Sequence, residues 1–232
     1  MVNTKRARAR PGDGAKLREE ILRTAERLLA ESGTEEALTL RAVAKLASVT
    51  TPSVYLHFSG KEALVEAVCL RVWDELGTRI RDACEGTSDP FVTLGQCGRA
   101  YIHFALEHPV QYRVLLMRPN DAEAIPPAAE ACFRHMVGAV TACVENGVLK
   151  GDPETLALGM WSAMHGCASL LIAQPALPWP DDLESFVNHI VRVAGFGSAL
   201  QSALPGAAVP RSRDLAAGMD GLAKTMRQRG AR

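Results

Sequence analysis

The sequence predicts an all-α chain. Apolar residues recur at spacings of three and four through most of its length. Proline and glycine fall between these stretches as punctuation, and no segment alternates with a period of two. With 232 residues, 47% of them hydrophobic, the chain can bury a core without help from disulfides or metals.

Each element follows from local pattern. Residues 1–14 are basic and contain Pro11, Gly12 and Gly14, which predicts a flexible arm. Over 15–32 the residues Leu17, Ile21, Leu22, Ala25, Leu28 and Leu29 define an amphipathic helix, and Gly33 is a natural stop. Thr39 caps a second helix over 40–47, where Leu40, Val43, Ala44 and Ala47 share one face. Ser48 and Val49 make a tight turn. Thr50 or Thr51 is the next N-cap. Pro52 sits in the first turn of a third helix running to Phe58, where a missing N–H costs nothing. Ser59-Gly60 breaks that helix, and Lys61 opens a long fourth one reaching Cys84. A supporting helix followed by two short helices across a tight turn is the helix-turn-helix plan.

The remainder also reads as helices. Asp89-Pro90 starts one ending at His108, and Pro109 starts a short one ending near Met117. Pro126-Pro127 starts another that reaches Leu149. Asp152-Pro153 pairs an N-cap with a proline at N1 and opens a helix to Gln174. Asp181-Asp182 places negative charge at the start of the last long helix, which ends at Ser202. Leu215, Met219, Leu222 and Met226 are spaced by four, three and four, so 205–232 is either a basic terminal helix or a disordered tail.

Charge is balanced overall, with 26 basic and 26 acidic residues, but unevenly spread. Residues 1–71 carry 12 Lys/Arg against 9 Asp/Glu, 72–210 carry 8 against 15, and 211–232 carry 6 against 2. A polyanion is therefore met by the ends of the chain and not by its acidic middle. The six cysteines stand singly in apolar helical stretches without a CxxC pair, which predicts free thiols acting as small buried hydrophobes in a reducing compartment. A redox-sensing pair is the alternative. No apolar run follows the basic start, and no stretch approaches the ~18 uninterrupted apolar residues of a membrane span. A cytoplasmic protein without a membrane partner is expected.

Catalytic signatures are missing: there is no GxSxG, HExxH or GxxxxGK[ST] run. No enzyme, catalytic residue or cofactor is expected. Cys132 and His135 lie three apart on one helix face, with Cys143 further along. A closed metal site needs about four ligands, so no metal site is expected either.

The run LRAVAKLASVTTPSVYLHF at 40–58, followed by GKEAL at 60–64, closely resembles the DNA-binding core of the TetR family of transcriptional regulators. The resemblance spans 17–70. It implies an N-terminal three-helix helix-turn-helix domain over 15–60 and a helical effector-binding and dimerisation domain over 61–204. A recognition helix lies in the major groove with its N-terminal residues toward base edges. Thr50, Thr51 and Ser53 present hydroxyls there, threonine methyls can touch a thymine methyl, and Pro52 adds little bulk. By resemblance Tyr55 and His57 bond phosphates. Lys61 meets a phosphate with its charge and a positive helix end, while Thr39 and Arg41 anchor the backbone. Val54 and Phe58 face the core. The structural alternatives are an N-cap for Thr50 or Thr51, packing on the first helix for Tyr55, and a solvated position for His57. Lys5, Arg6, Arg8 and Arg10 either enter a minor groove or form a solubilising tail. Ser48 departs from the family, which usually has glycine at this turn; a serine at positive φ is costly, so the turn is expected either to be slightly remodelled or to avoid the left-handed region.

The resemblance further implies a bacterial, nucleoid-associated homodimer acting as a repressor. It occupies a palindromic double-stranded operator until a small, largely apolar effector releases it. The last two long helices are expected to pair with their mates, through the small residues of 157–160 and 168–173 and a stripe of Leu183, Phe186, Val187, Ile190, Val191 and Ala194. The alternative is that this stripe completes the monomer core. Trp161-x-x-x-His165-Gly166 resembles the Trp-His-Gly signature of one regulatory-domain subgroup, and Trp161 and His165 share a face. A tunable imidazole beside a flat ring suits an effector pocket; a structural histidine bonded to a carbonyl or a buried tyrosine is the alternative. Tyr101, Phe104, Tyr112 and Met117 are further candidates for its walls.

Overall fold

The computed structural model describes residues 13–113, 116, 127–203 and 211–230. The described residues form helices without strands: α1 (Asp13–Ser32), α2 (Leu40–Leu46), α3 (Thr51–Tyr55), α4 (Lys61–Cys84), α5 (Pro90–Glu107), α6 (Pro109–Tyr112), α7 (Pro127–Glu145), α8 (Pro153–Ala173), α9 (Leu183–Ala203) and α10 (Ser212–Gly230). The arm residues Lys5, Arg6, Arg8 and Arg10, together with Met117, lie outside the described residues.

The helix starts are set by side-chain caps. Thr39 Oγ1 accepts the Ala42 N–H at 3.1 Å, and Thr50 Oγ1 accepts the Ser53 N–H at 3.3 Å. Asp89 accepts from Phe91 and Val92 at 2.9 Å, Asp152 from Thr155 at 2.8 Å and Asp182 from Ser185 at 2.9 Å. Thr50, not Thr51, is therefore the cap of α3.

Helix ends depart from expectation in two places. The third helix stops at Tyr55 instead of Phe58, because the His57 and Phe58 N–H groups both turn back to the Val54 carbonyl. The seventh stops at Glu145, four residues short of Leu149. Gly147 adopts φ +72° there, with Gly147 N–H on the Val144 carbonyl and Val148 N–H on that of Cys143, both at 2.9 Å. That pair of bonds is the Schellman closure. The same closure ends α2, with Ser48 N–H on Lys45 and Val49 N–H on Ala44, and Ser48 stands at φ +55° in the glycine position. The expectation that the turn is remodelled or avoids the left-handed region is therefore corrected: Ser48 adopts the left-handed conformation itself and carries the strain.

One core runs from Ile21 and Leu29 of α1 through Leu64 and Leu76 of α4 and Ile102 of α5 to Val187 of α9. A second, smaller one lies beneath α7 and α8 around Val140, Cys143, Leu149 and Met160. Ion pairs lock α4 to its neighbours: Arg71 meets Glu19 and Glu26 of α1, each at 2.7 Å, and Arg79 meets Glu107 of α5 at 2.9 Å. Burial raises the Glu26 carboxyl pKa despite Arg71, so desolvation outweighs the attraction at that carboxylate.

Among the described residues α8 alone is long and apolar enough to cross a membrane. It packs instead on α5, α7 and α9, with Ala157, Met160, Met164, Cys167, Ala168 and Leu171 buried in the chain. Residues 212–230 form α10, and none of its residues whose exposure is described is buried.

Candidate nucleic-acid interface and adjoining cavity

The outward face of α2 and α3 is assembled by burying the opposite one. Leu40, Val43 and Ala44 on α2, Val54 on α3 and Phe58 beyond it go into the core. Thr39, Arg41, Thr50, Pro52 and Tyr55 are left exposed, and Thr51, Ser53, His57 and Lys61 half-exposed. The Thr50 and Ser53 hydroxyls stand 2.7 Å apart and share one hydrogen bond, so each keeps further bonding capacity toward solvent. Tyr55 is 56% exposed. His57 tucks under the start of α1, where a methyl group on Gly14 would stand 3.8 Å from its ring. Arg18 covers the Phe58 ring at 5.1 Å.

Leu56, 82% exposed, belongs to the same face and was not expected there. The signal existed: with Val54 and Phe58 inward, a residue between them on a short helix must point out. Gly60 has no side chain to cap α4, so the helix start beside Lys61 presents backbone N–H groups and a positive dipole end.

A cavity of about 930 Å³ opens between α4, α5, α7, α8 and α9. Glu62, Val65, Glu66, Cys69, Trp73, Leu76 and Ile80 line it from α4, in one stripe that begins next to Lys61. Opposite stand Tyr101, Trp161, Met164 and Phe196, with Arg99 and Arg192 as charged groups. Gly98 lets this wall close up, since a methyl there would meet Met164 Sδ at 3.3 Å.

Only part of the expected pocket set lies on this wall. Tyr101 and Trp161 line the cavity. Phe104 and Tyr112 do not; both are buried core. His165 stands behind Tyr101, its Nδ1 2.7 Å from the Tyr112 hydroxyl and 3.1 Å from that of Tyr101, and its Nε2 3.2 Å from Ser169 Oγ. These contacts fit a neutral ring in which Tyr112 donates to Nδ1 and Nε2–H donates to Ser169. Burial lowers the imidazole pKa and favours that neutral form. Burial likewise raises both tyrosine pKa values, keeping them as phenols. The network links α5, α6 and α8, and the next residue, Arg113, reaches the Gly33 carbonyl at the end of α1 at 3.4 Å.

The dimer stripe on α9 also needs correction. Val187 and Val191 are buried within the chain, and Phe186, Ile190 and Ala194 pack against the core. The apolar groups left outside are Leu158 and Leu170 on α8 and Leu183, Val193 and Phe196 on α9. Gly159, Gly166 and Gly197 have open space where a side chain would be.

Residues 21–68 match the family described as bacterial regulatory proteins, tetR family, and residues 94–194 match the tetracyclin repressor-like C-terminal domain. An uncharacterised HTH-type transcriptional regulator of Mycobacterium tuberculosis is 32% identical over 191 residues, spanning 80% of this chain and 83% of the relative. A protein of unknown function from Rhodococcus sp. RHA1 shares the fold with a TM-score of 0.68 at 24% identity, covering 88% of this chain and all of that one. RolR in complex with resorcinol shares it with a TM-score of 0.58 at 15% identity, covering 87% and 99%.

Proposed function

The chain belongs to the TetR family and is a DNA-binding transcriptional regulator with no enzymatic role, and from that premise we propose that it is a cytoplasmic, effector-released repressor working as a homodimer. Residues 15–60 read DNA, 61–204 bind effector and dimerise, and 205–232 are a basic extension that contains α10. Thr51, Pro52 and Ser53 face base edges of a palindromic operator. Tyr55, His57 and Lys61 hold phosphates, and Thr39 and Arg41 anchor the flank.

The observation that carries this reading is the α4 stripe. One rigid helix lines the cavity from Glu62 to Ile80 and starts at Lys61 on the DNA-facing side. A small, largely apolar effector in a cavity of about 930 Å³ bears directly on that helix. Resorcinol in RolR supports an effector of this class. Effector contact tilts α4 and separates the two recognition helices; tens-fold release requires roughly 2 kcal/mol of coupling. Tyr101 provides a second route, since it touches the cavity and passes through Tyr112 to α6 and on to α1. Dimerisation uses the exposed faces of α8 and α9, where Leu170 lies one turn from Gly166, whose open space allows close helix approach.

Genome-fragment selection with purified protein identifies the operator, and titration against salt then tests the contacts. Lys61→Ala should weaken binding to every sequence and lower the log–log salt slope by about one unit. Thr51→Ala should act at particular base pairs. A salt slope unchanged in Lys61→Ala refutes the phosphate role.

A further inference from the structure

The cysteines are not all isolated. Cys84, the last residue of α4, and Cys97 on α5 bring their sulfurs to 2.9 Å, and Cys84 Sγ also lies 3.7 Å from the Thr93 carbonyl. His135, on the exposed side of α7, completes the group: one donor atom from each of Cys84, Cys97 and His135 lies within 4.8 Å of the others. Cys132 and His135, the pair three apart on α7, do not form such a group with Cys143, which is enclosed in the second core.

We propose that Cys84, Cys97 and His135 form a binding site for a thiophilic cation of the Zn(II) or Cu(I) class, tying the end of α4 to α5 and α7. Two thiols and an imidazole are the donors such ions select. With bonds of about 2.3 Å to sulfur and 2.0 Å to nitrogen, tetrahedral donors stand roughly 3.5–3.8 Å apart. The observed spacing brackets that range, so small side-chain movements bring the three donors onto one ion, with a water molecule as its fourth ligand. Each thiol gives its proton to solvent as its metal–sulfur bond forms. Three donors come from three helices, and Cys97 also lines the cavity, so a bound ion stiffens the cavity wall at the far end of α4.

The test uses full-length protein, freed of metal and kept reduced, titrated with Co(II) and then with Zn(II) against a chromogenic chelator. One equivalent per chain is expected, with sulfur-to-cobalt charge-transfer absorption and the visible bands of tetrahedral Co(II). Cys84→Ser and Cys97→Ser should each lower the charge-transfer absorption, and the double variant should abolish it. His135→Ala, an exposed substitution that spares the core, should weaken Zn(II) binding by more than the ~10–100-fold that loss of a group merely supporting a ligand costs. His189→Ala on exposed α9 should bind normally. Cobalt uptake without sulfur absorption, or unaltered Zn(II) affinity in His135→Ala, overturns the proposal. So does a reduced protein that takes up no Zn(II) yet forms a Cys84–Cys97 disulfide on mild oxidation, which leaves a redox pair in its place.

Discussion

Ser48 offers a direct reading of backbone strain. It occupies the glycine position of a Schellman closure at φ +55°, while Gly147 occupies the equivalent position at the end of α7 at φ +72°. For an L-residue the left-handed region costs about 1–2 kcal/mol. Glycine avoids that cost but loses about 0.4–1 kcal/mol through the greater freedom of its unfolded chain. The difference favours Ser48→Gly over Ser48→Ala by about 0.5–1 kcal/mol. At an ordinary helical position the order reverses, with alanine ahead by roughly 0.5–1 kcal/mol. Urea unfolding of the two variants at equal chain concentration gives the sign directly, provided the m-values agree. In a thermal scan the gap corresponds to roughly 1–4 °C. Gly147→Ala should fall below wild type by a similar amount, since it places a Cβ where φ is positive. If the Ser48→Ala protein equals or exceeds the Ser48→Gly protein in stability, the turn does not hold a left-handed residue and the argument fails.

Two further outcomes are expected. Burial lowers the pKa of the His165 imidazole. Its neutral form therefore contributes stability that is complete above the unfolded pKa near ~6.5 and is lost as pH falls through the lower folded value. His165→Gln should flatten the acid limb of the stability curve, and an identical limb would show that His165 is not the titrating group. Leu170→Lys, at a site 50% exposed on α8, should leave the helical content intact and shift sedimentation from dimer to monomer; a persistent dimer would move the interface elsewhere.

The helix-turn-helix was legible because its signals are local. Thr39 and Thr50 cap their own helices, Pro52 sits where its missing N–H does no harm, and Val54 and Phe58 lie four apart and share the inward face. The left-handed turn at Ser48 was visible only as a departure from glycine. The exposed Leu56 follows from the same pattern, since it lies between the inward Val54 and Phe58, but it is not among the residues that the sequence analysis singled out. At the cavity, chemistry alone misled: Phe104 and Tyr112 are as bulky and aromatic as Trp161, yet they are buried core while Trp161 lines the opening.

The division has a physical basis. Helix starts, stops and apolar faces depend on interactions within a few residues, so the order of side chains along the chain specifies them before any packing occurs. Which face of a long helix meets its own chain and which is left for a partner depends on crossings between α5, α7, α8 and α9, and these are settled by volume and close approach at points such as Gly98 and Met164. That is why Val187 and Val191 proved to be core and Leu170 surface. It is also why Cys84, Cys97 and His135, spread over 52 residues of sequence, meet only once three helices have packed.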